Sequence, residues 1–279
     1  MKNFAPQWHA LGREAELAAE QLATGVTVLG RATHAQKGLY TQAFFALSIG
    51  FERLGKLILV ADHAIRNDGN WLTDKELRGN GHDVAALLEA CEPIARLHVS
   101  EHKFGTRPNT PIHESIIKIL TEFGKTTRYY NLSSLNHSAT RNMREPIEAW
   151  WQDVGRVILQ YHYTAAQQKK DKLRAEIFGA LMADFSRVIH HDEAGNLIGD
   201  IKTLMTHAGA TAIVQRYGRL YVMQLIRWLA TILAELSFKG AYKHRIEALL
   251  GLEERFRIFG NDDKYLRGRK TWSIYRLGR

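Results

Sequence analysis

Cysteine and proline are scarce in this chain. A single cysteine, Cys91, stands among 279 residues, which excludes an internal disulfide. It lies in an apolar helical run and reads as a buried, inert thiol, and such cysteine poverty suits a reducing cytoplasm. There are five prolines, Pro6, Pro93, Pro108, Pro111 and Pro146. Most sit at segment edges, which favours long helices over a loop-rich β fold. No alternating strand pattern and no repeat of about 20–50 residues is visible, which argues against a solenoid. Met1–Gly12 has no apolar core of the kind a signal peptide carries. The longest apolar run, Leu220–Leu236, is interrupted by Gln224, Arg227 and Glu235. It reads as too short and too polar to span a bilayer, so no membrane contact is expected. Walker-type loops, dinucleotide fingerprints, HExxH helices and CxxC pairs are all missing.

What the chain does have is helical periodicity. Across Thr33–Asn67 the residues Leu39, Ala43, Leu47, Phe51, Leu54, Ile58 and Ala61 recur three or four apart, one apolar stripe of a long helix. Glu52 and Lys56 interrupt it at i,i+4 spacing, with the acid on the N-terminal side. They are expected as a half-buried pair, or as supports for Arg128 or His137. Other helices are expected over 14–24, 82–100, 112–127, 147–171, 172–190, 197–205, 211–238 and 242–250. Thr73–Glu76 has capping-box spacing, and Pro93 is expected to kink its helix. Breaks are expected at Asn67–Asn70, Gly79–Gly81 and Ala208–Ala210. The fold class that follows is all-α, with a bundle over 33–172 preceded by an N-terminal helical segment (1–32) and followed by a helical C-terminal region (173–279).

The net charge is +9 and the isoelectric point near 9.6. The excess is uneven: residues 239–279 hold eleven Lys or Arg against five acids. Lys264, Arg267, Arg269 and Lys270, interleaved with Tyr265 and Trp272, form a pattern able to clamp phosphates and stack on bases. Thirteen histidines are present, but their grouping is poor for a metal. His190, His191 and Asp192 are adjacent without a complete ligand set, so neither a metal nor another cofactor is expected.

Phosphodiester chemistry needs a group that moves a proton near neutral pH and a cation that steadies the crowded phosphate, roles that suit histidine and arginine. Arg156 and His162 lie six apart, as do Arg96 and His102. Arg128 and His137 flank an irregular segment, Tyr129–Tyr130–Asn131, that leaves its helix together with Arg141. Six residues advance a helix by about 600°, which leaves Arg156 and His162 about 120° apart. They would meet at one phosphate only across a dimer cleft or a bent helix.

The run Leu47–Leu59, preceded by Ala43–Phe44–Phe45–Ala46 and followed by Gly81–His82–Asp83–Val84–Ala85–Ala86–Leu87–Leu88, resembles proteins of the HEPN superfamily, most closely its abortive-infection and defence-associated branch. The resemblance covers roughly residues 33–170. It implies an up-down helical bundle that dimerises, in many members a metal-independent endoribonuclease with an Arg-x4-6-His motif near the last bundle helix. Arg156–His162 fits that motif, departing from it at Val157, where a small polar residue is usual. The function expected on this basis is that of a cytoplasmic RNA-targeting protein of a bacterial defence or toxin system, acting as a homodimer and in some members with a cognate protein partner. Arg156, His162, Arg128 and His137 are its candidate catalytic groups, Arg141 and the basic tail its RNA contacts, and Glu52, Lys56 and Asn131 its supports. The alternative is a non-catalytic helical module for dimerisation or partner docking.

Overall fold

The computed structural model describes residues 4–79, 81–135, 143–182 and 185–274. Its helices are α1 (Pro6–Leu29), α2 (Gly38–Arg66), α3 (Asp74–Gly79), α4 (Val84–His98), α5 (Pro111–Lys125), α6 (Tyr130–Leu135), α7 (Pro146–Trp150), α8 (Arg156–His162), α9 (Ala165–Met182), α10 (Ile201–Phe238) and α11 (Asp263–Gly268). A π-helical turn, Trp151–Gly155, joins α7 to α8, and a second, Lys239–Lys243, follows α10. The strand content among the described residues is one antiparallel ribbon, β1 (His190–His191) and β2 (Leu197–Ile198). The fold is all-α.

Local chemistry accounts for most boundaries. Pro6, Pro111 and Pro146 each open a helix, where the missing N–H costs nothing. Asp83, Asp200 and Asp262 cap α4, α10 and α11 by accepting backbone N–H groups of the first turn. The capping box at Thr73 forms: Glu76 accepts from the Thr73 backbone N–H at 2.8 Å. Pro93 lies within α4.

α1 and α2 form the closest helix pair. The expected stripe is buried throughout except for Leu39, which is half-buried: Ala43, Leu47, Leu54, Ile58 and Ala61 have no exposed surface. Gly50 lets the backbones approach, since a Cβ there would stand 2.7 Å from the Leu22 side chain. Around this pair one continuous core takes in α4, α5, α7, the π-turn, α8, α10 and the segment 249–272. It passes without a break from residues before 172 to residues after it.

α10 is the central element, with Met223, Leu225, Ile226, Leu229, Ile232 and Leu233 fully buried. The stretch Ile201–Lys243 is long and apolar enough to cross a bilayer, but 72% of its most apolar window is buried within the fold. Its polar interruptions have partners. Arg227 donates to the Asn261 carbonyl at 2.8 Å, pairs with Asp263 at 2.8 Å and lies over the Phe104 ring. Gln224 bridges His113 and Asp263.

Several boundaries differ from those the sequence suggests. α10 runs unbroken through Ala208–Gly209–Ala210. Gly209 is required there by a close approach, because a Cβ would lie 2.7 Å from Asp171 Oδ2 on α9. The helix expected to reach His190 ends at Met182, and His190–His191 is a strand. The segment expected as one helix over 147–171 is divided by the π-turn and by a corner at Tyr163–Thr164. Residues 242–250 are no α-helix: Arg245 has φ +57°, and only Glu247–Leu249 forms a 3₁₀ turn. The basic tail is no free arm. Trp272 is buried against Phe259, and its backbone N–H donates to Thr27 Oγ1 at 2.9 Å.

Candidate functional site

α8 directs its two motif residues apart. Arg156 is exposed and donates to Gln152 Oε1 at 2.8 Å, one turn back. His162 turns toward α10. Its ring stacks on Tyr217, with centroids 3.7 Å apart and planes within 6°, and its Nε2 lies 2.9 Å from the Tyr221 hydroxyl. Arg267 of α11 reaches the same Tyr217 ring from the tail, its guanidinium carbon 5.7 Å from the centroid. The cation that accompanies His162 within one chain is therefore Arg267, with Arg156 pointing elsewhere. Burial, aided by the Arg267 charge, holds the His162 imidazole below its ordinary pKa. The neutral ring it favours near pH 7 is the form that accepts a proton. Tyr161, beside it, is largely exposed.

A basic groove begins at the same corner. Tyr163 donates its hydroxyl to Asp171 at 3.0 Å. From Asp171 a cleft of about 370 Å³ runs between α9 and α10, lined by Lys170, Arg174 and Arg216. All three cations are exposed, and Arg216 directly precedes Tyr217. Three positive side chains with one carboxylate, on the helix that follows His162 and the helix that carries Tyr217, suit a polyanion carrying flat rings.

The other expected residues lie elsewhere. Lys264 is exposed on α11, and Lys270 is exposed after it. Arg269 is half-buried: it lies over Tyr265 and Trp272, with one guanidinium nitrogen 2.6 Å from the Tyr265 hydroxyl. Trp272 belongs to the core and is lost to base stacking, whereas Tyr265 remains accessible. Arg128 is not held by Glu52 or Lys56. Its guanidinium lies over Phe45, with Nε buried and unpartnered. Glu52 accepts from Lys56 at 2.7 Å and lies 2.9 Å from His82 Nδ1. Burial pushes its carboxyl up, but these two bonds outweigh that and leave it below the ordinary range. Asn131 is exposed, and its carbonyl accepts from Ser134. His137 and Arg141 lie outside the described residues. Cys91 is buried, its thiol pushed up to about 12 by burial first and by Asp62 second, as an inert core thiol should be.

A cavity of about 800 Å³ opens between the end of α4 and α10. It carries His98, backed by buried Asp62 at 3.4 Å, but also Glu101, Glu235 and Glu253 against Arg257. That balance of charge repels a phosphodiester.

His98, His113 and His162 all have pKa values lowered chiefly by burial. His113 is fixed between Thr110 at 2.7 Å and Gln224 at 2.9 Å. Unfolding frees each ring to a pKa of about 6.5. The unfolded chain then binds more protons in the interval below that value, so stability rises with pH there. The contribution is complete above about pH 6.5 and is lost as pH falls toward the folded values. Glu145, raised by burial, works in the opposite sense, one group against these three and His34, which burial also lowers. The urea midpoint is expected to be higher at pH 7.5 than at pH 5.5; equal midpoints would contradict the assignment.

No family model, curated protein or solved structure matches the chain.

Proposed function

We infer that the chain is an RNA-targeting protein that binds single-stranded RNA along the face built by α8, α9, α10 and α11. One observation carries the reading: His162, singled out by its spacing from Arg156, meets Tyr217, Tyr221 and Arg267, while Lys170, Arg174 and Arg216 line a cleft between the neighbouring α9 and α10. Phosphates occupy the groove, and a base lies against the half-buried Tyr217 and Tyr221 or the exposed Tyr161. Among the described residues, His162 Nδ1 has no bonded partner, so it is the nitrogen that faces substrate. As an endoribonuclease the site works through the 2′-hydroxyl. His162 takes the proton from O2′, O2′ attacks phosphorus, and the P–O5′ bond breaks. The proton returns to the departing O5′, leaving a 2′,3′-cyclic phosphate. Arg267 steadies the phosphorane charge. The HEPN-like reading of the bundle and a bacterial defence or toxin role belong to the same inference.

Incubation of the chain with labelled single-stranded RNA is expected to yield fragments ending in 2′,3′-cyclic phosphate. His162→Ala should lower the rate by about 10²-fold or more with RNA affinity changed far less. A 2′-deoxy substrate should bind and not be cut. Cleavage unaffected by His162→Ala would remove the catalytic assignment, and failure to bind RNA would remove the whole reading.

A second reading, the interaction module, is favoured by α9. Leu173, Ile177 and Leu181 recur every fourth residue and are 56%, 56% and 66% exposed, with Phe178 beside them. Such a stripe fits a second copy of the chain packed helix to helix. A chain that self-associates in light scattering but neither binds nor cuts RNA supports this module.

A further inference from the structure

The geometry points to a divalent metal site of zinc type formed by His34, Glu193 and His207, separate from the RNA face. The three side chains come from the α1–α2 connection, the turn of the β1–β2 ribbon and α10. One ligand atom from each lies within 4.8 Å of the other two.

The ribbon aims Glu193 inward. Asp192 closes the turn with its own carboxylate, accepting from the Ala194 and Asn196 backbone N–H groups at 2.9 and 2.7 Å, and Gly195 supplies the required φ of +82°. Asp192 is thus committed to the turn, while Glu193 points into the protein with no exposed side-chain surface. Its oxygens accept from the Tyr40 hydroxyl at 3.1 Å and contact His207 Nε2 at 2.6 Å. Among the described residues no lysine or arginine forms an ion pair with it. Lys37, the nearest cation along the connection, donates to the Asp192 carbonyl at 2.7 Å. A carboxylate so enclosed needs a positive partner.

His34 adds a second, independent sign. Its Nδ1 is shut off from solvent and has no hydrogen-bond partner, an expensive arrangement for a ring nitrogen. Its ring stands 5.1 Å from that of His207. A bound cation balances the Glu193 charge without a protonated His207 and gives the His34 ring a partner.

Two imidazoles and one carboxylate are a donor set that zinc and its first-row neighbours accept. Tetrahedral zinc, with bonds of about 2.0–2.1 Å, separates its ligand atoms by about 3.4 Å. Without metal the ligand atoms lie within 4.8 Å of one another, so binding draws them together by up to about 1.4 Å. Tyr40 then acts from outside the ligand set by orienting Glu193, as groups hydrogen-bonded to metal ligands do. The exposed His190, its ring 5.8 Å from that of His34, is placed to supply a fourth ligand.

The test uses the full chain, stripped with a chelator, dialysed and titrated with zinc chloride against a chromophoric competitor, then with cobalt chloride in parallel. Expected are one zinc per chain at sub-micromolar affinity, visible cobalt absorption of tetrahedral type and a raised melting temperature with zinc. His34→Ala, on the solvent side, should fold and lose affinity by at least about tenfold. Glu193→Gln should lose more, and His190→Ala less than either. Zinc uptake well below one equivalent, or uptake unchanged by His34→Ala, would overturn the site and leave His207–Glu193 as an ordinary buried ion pair.

Discussion

Reversing the charge of Lys170, Arg174 and Arg216 together is expected to weaken single-stranded RNA binding by about a hundredfold or more near 0.1 M salt. Each cation that neutralises a phosphate releases a counterion, and on single strands the slope of log K against log salt is about −0.7 per contact. Losing three contacts flattens that slope by about 2. The three side chains are exposed around a cleft of about 370 Å³, so the variant should fold normally. Arg267→Ala has a different signature. It removes one phosphate contact and about 0.7 of slope, but it also takes the cation away from the Tyr217–His162 stack and so lowers cleavage more than binding. Fluorescence anisotropy at several salt concentrations reads both. An unchanged slope in the triple variant would show that the groove is not where RNA lies.

Trp228→Ala is expected to cost about 3–5 kcal/mol of stability. Trp228 is 1% exposed on the inner face of α10, and its indole N–H donates to the Gly105 carbonyl at 3.1 Å. Truncation therefore opens a cavity at the centre of the fold and strands a buried carbonyl in the α4–α5 connection. For a chain of this size the melting temperature should fall by about 6–20 °C. Trp228→Phe keeps most of the volume and loses the bond, at a cost of about 1–3 kcal/mol. Equal losses for the two variants would mean that the hydrogen bond, not the cavity, sets the cost.

The helical class was legible because long stripes such as Leu47–Phe51–Leu54–Ile58 are set by a period that needs no tertiary information. What escaped the sequence depends on contacts between distant segments. Gly209 looks like a breaker until α9 is seen pressed against it. Trp272 looks like a stacking platform until Phe259 and Thr27 enclose it. Arg245, with its positive φ, ends a pattern that periodicity alone would extend.

The candidate site was legible in half. His162 was picked out by spacing and Arg267 by the charge of the tail, but nothing local says that the two share Tyr217. The contacts of Tyr217 and Tyr221 and the Lys170–Arg174–Arg216 groove are assembled only by the packing of α8 and α9 on α10. The signal was there: Tyr217 and Tyr221 are i,i+4 on one helix, and Lys169–Lys170–Asp171–Lys172 is a charge cluster. The His34–Glu193–His207 group had no signal at all in linear order, because Asp192 and the two neighbouring histidines stood where the eye would settle.

The contact between Thr27 and Trp272 spans 245 positions, and Trp8 reaches nearly as far to the Leu250 carbonyl. During synthesis α1 leaves the ribosome more than 200 residues before part of the surface that buries it. The nascent chain must therefore hold an amphipathic first helix open to chaperones until its closing strap emerges, and pairings of such long range make for slow folding.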